Sequence, residues 1–212
     1  SEPQGETLST NGDNMETCTL YSCELTIDTN TVNKQLKLSD NNRKVTYVKE
    51  DQSHPDHPDR FDFYPQLLCR TGLTGRCYWE VEWSGNVDVS VSYRGIRRKG
   101  DSGDCLFGYN DQSWSLRCSG GGYSVRHNKT VTPITTFYSS GRVAVYVDCP
   151  AGSLSFYRVS SDTLIHLHTF STTFTEPLYP GFWFGSVSSV SLCPLQEGES
   201  PPGGEPSSLL TT

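Results

Sequence analysis

An all-β fold is predicted by three observations. Short runs alternate apolar and polar residues with the period of two that a strand requires. Clusters of Gly, Asn, Asp, Ser and Pro separate those runs at short intervals. Almost nowhere do apolar residues recur at the i, i+3, i+4 spacing of an amphipathic helix. Many short strands at this spacing fold as a sandwich or a barrel, and no repeat of solenoid or propeller length is visible, so a single compact sandwich is favoured.

The expected strands are, in order, 44–48, 78–83, 87–93, 113–118, 123–127, 142–148, 153–159, 165–170 and 178–184. In "YWEVEW", Trp79, Val81 and Trp83 point one way and Tyr78, Glu80 and Glu82 the other. "SGN" then turns, and Val87, Val89 and Val91 alternate with Asp88, Ser90 and Ser92, which reads as a strand returning beside the first in a hairpin. The same logic makes "VAVYVDCPAGSLSFY" a hairpin around Pro150 and Gly152. Upstream, Leu25 and Ile27 lead into an Asx-rich turn at Asp28, Asn30 and Asn33, then Leu36 and Leu38 resume the alternation before "SDNN" turns again.

The chain has 212 residues, enough for one domain with a sizeable core. Residues 1–19 and 195–212 are polar, rich in Ser, Gly, Pro and Glu, and aperiodic; both are expected to be disordered flanks. Seventeen Lys and Arg against 24 Asp and Glu give a net charge of −7, which argues against a partner held through nucleic-acid phosphates. No apolar run reaches the length of a membrane span, and the N-terminal stretch is not a signal peptide, so no direct membrane insertion by this segment is expected. The chain opens on Ser1 rather than Met and reads as a piece of a longer polypeptide. Eight cysteines are expected to be reduced, because Cys77 and Cys149 fall in apolar runs and a domain of this size needs no staples.

In order, "LTIDTNTVNKQLKLSDNNRKVTYV", "RFDFYPQLLC", "LTGRCYWEVEW", "YRGIRRKG", "WSLRC", "RVAVYVDCPAGSLSFYRVS" and "FTEPLYPGFW" resemble the PRY-SPRY domain. The likeness spans residues 20–194. It implies a bent antiparallel β-sandwich of two sheets, with a PRY part at 20–72 and a SPRY part at 73–194 forming one unit. Two places depart from the family pattern: Val87 stands where many members place Trp, and "Asp148-Cys149-Pro150" replaces an Asp-Tyr-Glu triplet. Domains of this family end tripartite-motif ubiquitin ligases, butyrophilins and fish NACHT-type immune receptors, and the same motifs resemble the C-terminal domain of stonefish pore-forming toxin subunits. The resemblance implies a non-enzymatic module for a protein or peptide ligand, placed in the cytoplasm as part of an innate-immune or ubiquitin-ligase protein. An accessory domain of a toxin-like protein is the alternative.

No chemistry competes with that reading. "SHPDHPDRFD" gathers His54, Asp56, His57 and Asp59, but two prolines favour a rigid surface turn over a metal site. "CSGGGYS" lacks the Lys and the following helix of a phosphate cradle, and no strained nucleophile frame appears, so neither cofactor nor catalytic residue is assigned. "YRGIRRKG" carries four basic residues and reads as a solvated turn, with an acidic partner as the alternative. The loops 103–113, 116–122 and 182–188 are expected to frame the ligand site, and within them Tyr109, Asn110, Arg117, Trp183 and Phe184 are the expected contacts.

Overall fold

The computed structural model describes residues 18–135 and 139–194. Thirteen strands follow one another as β1 (Leu36–Ser39), β2 (Lys44–Tyr47), β3 (Gln66–Leu68), β4 (Arg76–Ser84), β5 (Val87–Tyr93), β6 (Ser113–Ser119), β7 (Gly122–His127), β8 (Thr130–Ile134), β9 (Arg142–Asp148), β10 (Ser153–Ser160), β11 (Thr163–Ser171), β12 (Leu178–Phe184) and β13 (Ser189–Leu192). They form a seven-stranded sheet in the order β1-β2-β13-β4-β9-β10-β11 and a six-stranded sheet in the order β3-β12-β5-β6-β7-β8. Every neighbouring pair of strands is antiparallel. This is the expected two-sheet sandwich.

The sheets face each other across one apolar layer. Trp79, Val81, Val143, Val145, Val147, Leu154 and Phe156 project from the larger sheet onto Val87, Val89, Val91, Leu116, Val125, Phe182 and Phe184 of the smaller. The hairpin around Gly152 is as expected, pairing Val147 with Leu154. Gly152 is obligatory there: its φ is +72°, and a Cβ would stand 1.9 Å from the Thr172 carbonyl oxygen.

The hairpin expected at "WSGNV" is not formed. β4 lies between β13 and β9 while β5 lies between β12 and β6, so the turn at Gly85 and Asn86 carries the chain from one sheet to the other. The reason lies in the pattern itself: a two-faced core can be filled from opposing sheets as well as from one, and period-two alternation does not distinguish them. A second crossing runs alongside, between β12 and β13. The Asn86 amide donates to Ser188 Oγ at 2.9 Å and the Gly185 amide to the Asn86 carbonyl at 2.8 Å. Gly85, at φ +81°, leaves no room for a side chain beneath Val187 and Ser188.

Two smaller clusters cover the outer faces. Tyr78, on the strand face opposite Trp79, is buried with Cys18, Ala144, Tyr157, Val159 and Leu164. Cys18 and Thr19 therefore belong to the packed chain, two residues before the expected boundary; the rest of both flanks lies outside the described residues. On the smaller sheet Phe61, Leu68, Ile96 and Phe107 form the other cluster, with Tyr179 and Trp183 packed on it.

The basic turn is solvated only in part: Arg97 is exposed, 3.8 Å from Asp104 at the surface, while its neighbours are tied to the 53–64 loop. Arg98 donates to the carbonyls of Ile96, Asp59 and Arg94, Lys99 Nζ to those of His57 and Arg60, and Arg94 pairs with Asp28 and Asp59. Buried Arg60 adds bonds to the carbonyls of Pro55, Thr29 and Val32. These cations hold the 53–64 loop onto the sheet by satisfying carbonyls that have no ladder partner.

The expectation of eight reduced thiols is corrected at one pair. A bridge between Ser22 and Tyr78 brings Cys23 and Cys77 to a Cα separation of 5.5 Å, and their sulfurs are bonded; the other six cysteines are free. Thiol titration of the denatured, unreduced chain is therefore expected to count six, and a count of eight would remove the bridge.

Candidate functional site: the outer face of the six-stranded sheet

Strand register assembles this face. Trp183 on β12 stands opposite Asp88 on β5, Asp88 opposite Arg117 on β6, and Arg117 opposite Ser124 on β7. Directly opposed residues share a face, so the side chains of Trp183, Asp88 and Arg117 lie in one row. Asp88 is 0 % exposed, and Arg117 donates to its carboxylate through Nε and, at 3.3 Å, through Nη2. The Arg117 guanidinium lies 4.2 Å from the centre of the Trp183 ring, and its side chain keeps 19 % exposure.

Burial pushes the Asp88 carboxyl above its ordinary range, while the Arg117 pair, the nearby charge of Arg126 and Ser115 pull it back. A buried carboxylate under a forked guanidinium and a stacked indole forms a rigid unit, since each member fixes the rotamer of the next.

The adjoining row runs Gly181, Ser90, Ser115, Arg126 across the same strands. Ser90 and Ser115 bond each other at 2.7 Å. Arg126 lies 5.3 Å from the Tyr109 ring centre, and its Nε is buried with no hydrogen-bond partner.

The 103–112 loop is clamped down over part of this face. Gln66 donates to the Cys105 carbonyl at 2.7 Å and accepts from the Phe107 amide at 3.0 Å. Gly108 has φ +84° and sits so close that a Cβ would come within 2.7 Å of Arg126 Cβ.

Of the five expected contact residues, the structure brings Arg117 and Trp183 together and leaves Tyr109 half-buried beside Arg126. Trp183 stands within a strand rather than a loop. Two expectations are corrected. Phe184 points into the core, because it follows Trp183 by one residue and a strand alternates its faces. Asn110 is buried and spends its amide on the carbonyls of Gly103, Asp104 and Leu106, with its oxygen accepting from Gln112 and Ser113. It shapes the loop and offers nothing outward.

Asp88 and Arg126 were not anticipated. The one signal for Asp88 is a carboxylate inside "VDVSVS", where only serines share its face. Phe63, 57 % exposed and edge-on to Tyr64, stands just before β3, which pairs with Trp183; Val187, 86 % exposed, crowns the turn after β12.

His54 and His57 serve the backbone, at the Leu36 carbonyl and the Asp59 amide. Among the described residues no three His, Cys, Asp or Glu side chains converge as a metal site. No helix among them is long and apolar enough to cross a membrane.

The two-sheet antiparallel sandwich thus presents an arginine and an indole together on the outer face of one sheet. Residues 25–73 match the SPRY-associated domain, PRY, and residues 76–196 the SPRY domain, a protein-interaction module. The chain belongs to the PRY-SPRY family. It is 46 % identical over 174 residues to neoverrucotoxin subunit alpha of Synanceia verrucosa, covering 78 % of this chain and 24 % of that one. Over 188 residues it is 35 % identical to tripartite motif-containing protein 16 of Mus musculus, covering 87 % of this chain and 34 % of that one. Among solved structures it resembles stonustoxin, with a TM-score of 0.78 and 42 % identity over 82 % of this chain and 29 % of that one. It also resembles the TRIM65 PSpry domain, with a TM-score of 0.77 and 25 % identity over 91 % of this chain and 99 % of that one. The chain thus spans only about a quarter of the toxin subunits it matches.

Proposed function

We propose that this domain is the ligand-binding module of a longer protein, and that a protein or peptide docks on the outer face of the six-stranded sheet across Trp183 and Arg117. The observation that carries the reading is the Asp88–Arg117–Trp183 row. Its arginine and indole are held in fixed rotamers before any partner arrives, so little side-chain entropy is lost on binding. Aromatic and arginine side chains set in this way are the usual anchors of protein interfaces.

Likeness to a tripartite-motif protein supports a role in a ubiquitin-ligase or innate-immune protein, and we place it in the cytoplasm. Six free thiols support that compartment, and the Cys23–Cys77 bond is the feature that opposes it. The second reading, an accessory domain of a toxin-like protein, draws on the higher identity to toxin subunits. The coding sequence upstream of Ser1 separates the two.

Trp183→Ala tests the site. It is expected to keep the thermal midpoint within a few degrees, because the ring is only half-buried, and to weaken the partner by about 2 kcal/mol or more. The partner is first isolated by affinity capture on the wild-type chain, and its affinity for both chains is then measured by calorimetry. Unchanged affinity would move the site elsewhere.

A further inference from the structure

The charges on this face do not cancel. Asp88 is the one carboxylate that the two rows contribute; Arg117 pairs with it directly, and Ser115 and the nearby charge of Arg126 also act on it. Arg126 forms no ion pair among the described residues, and its buried Nε–H has no acceptor, although an unsatisfied buried donor costs free energy. The guanidinium is held against Tyr109, and the Cβ of Arg126 is packed under Gly108, so the group is positioned rather than free to swing.

We propose that Arg126 receives a carboxylate of the partner, so that the domain selects an extended peptide carrying an acidic residue at a fixed distance from an apolar one seated on Trp183. The proposal rests on the reading that this face binds the partner. A carboxylate fits because it offers two acceptors in one plane to a forked donor, and because the two rows set two guanidinium groups, Arg117 and Arg126, against the single carboxylate of Asp88.

The spacing follows from register. Trp183 and Ser124 lie in one row three strands apart, and Arg126 is two residues from Ser124 on the same face. With strands about 4.8 Å apart and about 3.3 Å per residue, the two anchors are separated by roughly 16 Å. An extended peptide covers that distance in about five residues.

A phage-displayed library of random dodecapeptides selected on the full 212-residue chain tests this. Enriched sequences are expected to hold Asp or Glu four to six positions from a large apolar residue. The best synthetic peptide should bind Arg126→Gln at least tenfold more weakly at an unchanged thermal midpoint. Arg126→Lys, which keeps the charge and loses the fork, should fall between.

If Trp183→Ala abolishes binding while Arg126→Gln does not, the face is right and the acidic preference is wrong. If neither substitution matters, the face itself is wrong. Enrichment of sequences without carboxylates, failure to enrich any sequence, or equal competition by polyglutamate against wild type and Trp183→Ala would each overturn the proposal.

Discussion

Trp79→Ala is expected to lower stability by about 3–5 kcal/mol, the usual cost of deleting a large aromatic from a packed core. Trp79 is 4 % exposed, stands opposite Val145 on the neighbouring strand, and fills the layer between the sheets. For a domain of this size the loss corresponds to a fall in midpoint of roughly 10 °C, which calorimetry reads directly. Any loss of ligand affinity should track the unfolded fraction alone. A variant within about 1 kcal/mol of wild type would mean that the core is not organised around this indole.

Arg117→Ala is expected to cost a similar amount for a different reason. Removing it strands the Asp88 carboxylate, which has no exposure, and breaking a buried ion pair from one side typically costs about 3–5 kcal/mol. The effect depends on pH, and its sign is fixed. Asp88 already titrates above the ordinary carboxyl value of 3.8 through burial, and loss of Arg117 raises it further.

A group whose folded-state pKa lies above its unfolded one destabilises the fold once pH rises through the folded value, and does no harm below the unfolded value. The deficit of Arg117→Ala should therefore be largest at neutral pH and shrink as the pH is lowered towards about 4. Adding Asp88→Asn should recover part of it at neutral pH. Denaturant titrations at several pH values measure both, and a deficit independent of pH would show that Asp88 is not the group being stranded. Arg117 thus supports the fold through Asp88, besides the ligand role proposed for it.

The sandwich was legible in the sequence because period-two alternation survives in long strands, and all nine expected strands occur within a residue or two of their bounds. β1, β3, β8 and β13 were not among them, since runs of three to five residues hold too few alternations to stand out, although the Leu36–Leu38 alternation of β1 was read. Side-chain direction was recoverable; sheet membership was not. Val87, Val89 and Val91 face the core as read, yet across from Trp79 rather than beside it.

The same limit explains the site. Arg117 and Trp183 could be picked by type, whereas Asp88 becomes visible only when β12, β5 and β6 are placed side by side. Phe184 was misassigned because a one-residue shift along a strand exchanges solvent for core.

The first fifty or so residues of the fold cap one edge of each sheet with short strands. β1 and β2 extend the larger sheet beyond β13, while β3 lies along the free side of β12 in the smaller. Without them two rows of unpaired amides and carbonyls would lie bare, the condition under which sheets recruit foreign strands and aggregate. The two names given to the halves of this chain therefore cut through a single heritable unit. Recombination that moved one half without the other would deliver a sticky fragment, while recombination at the polar flanks transfers a complete sandwich to a new protein.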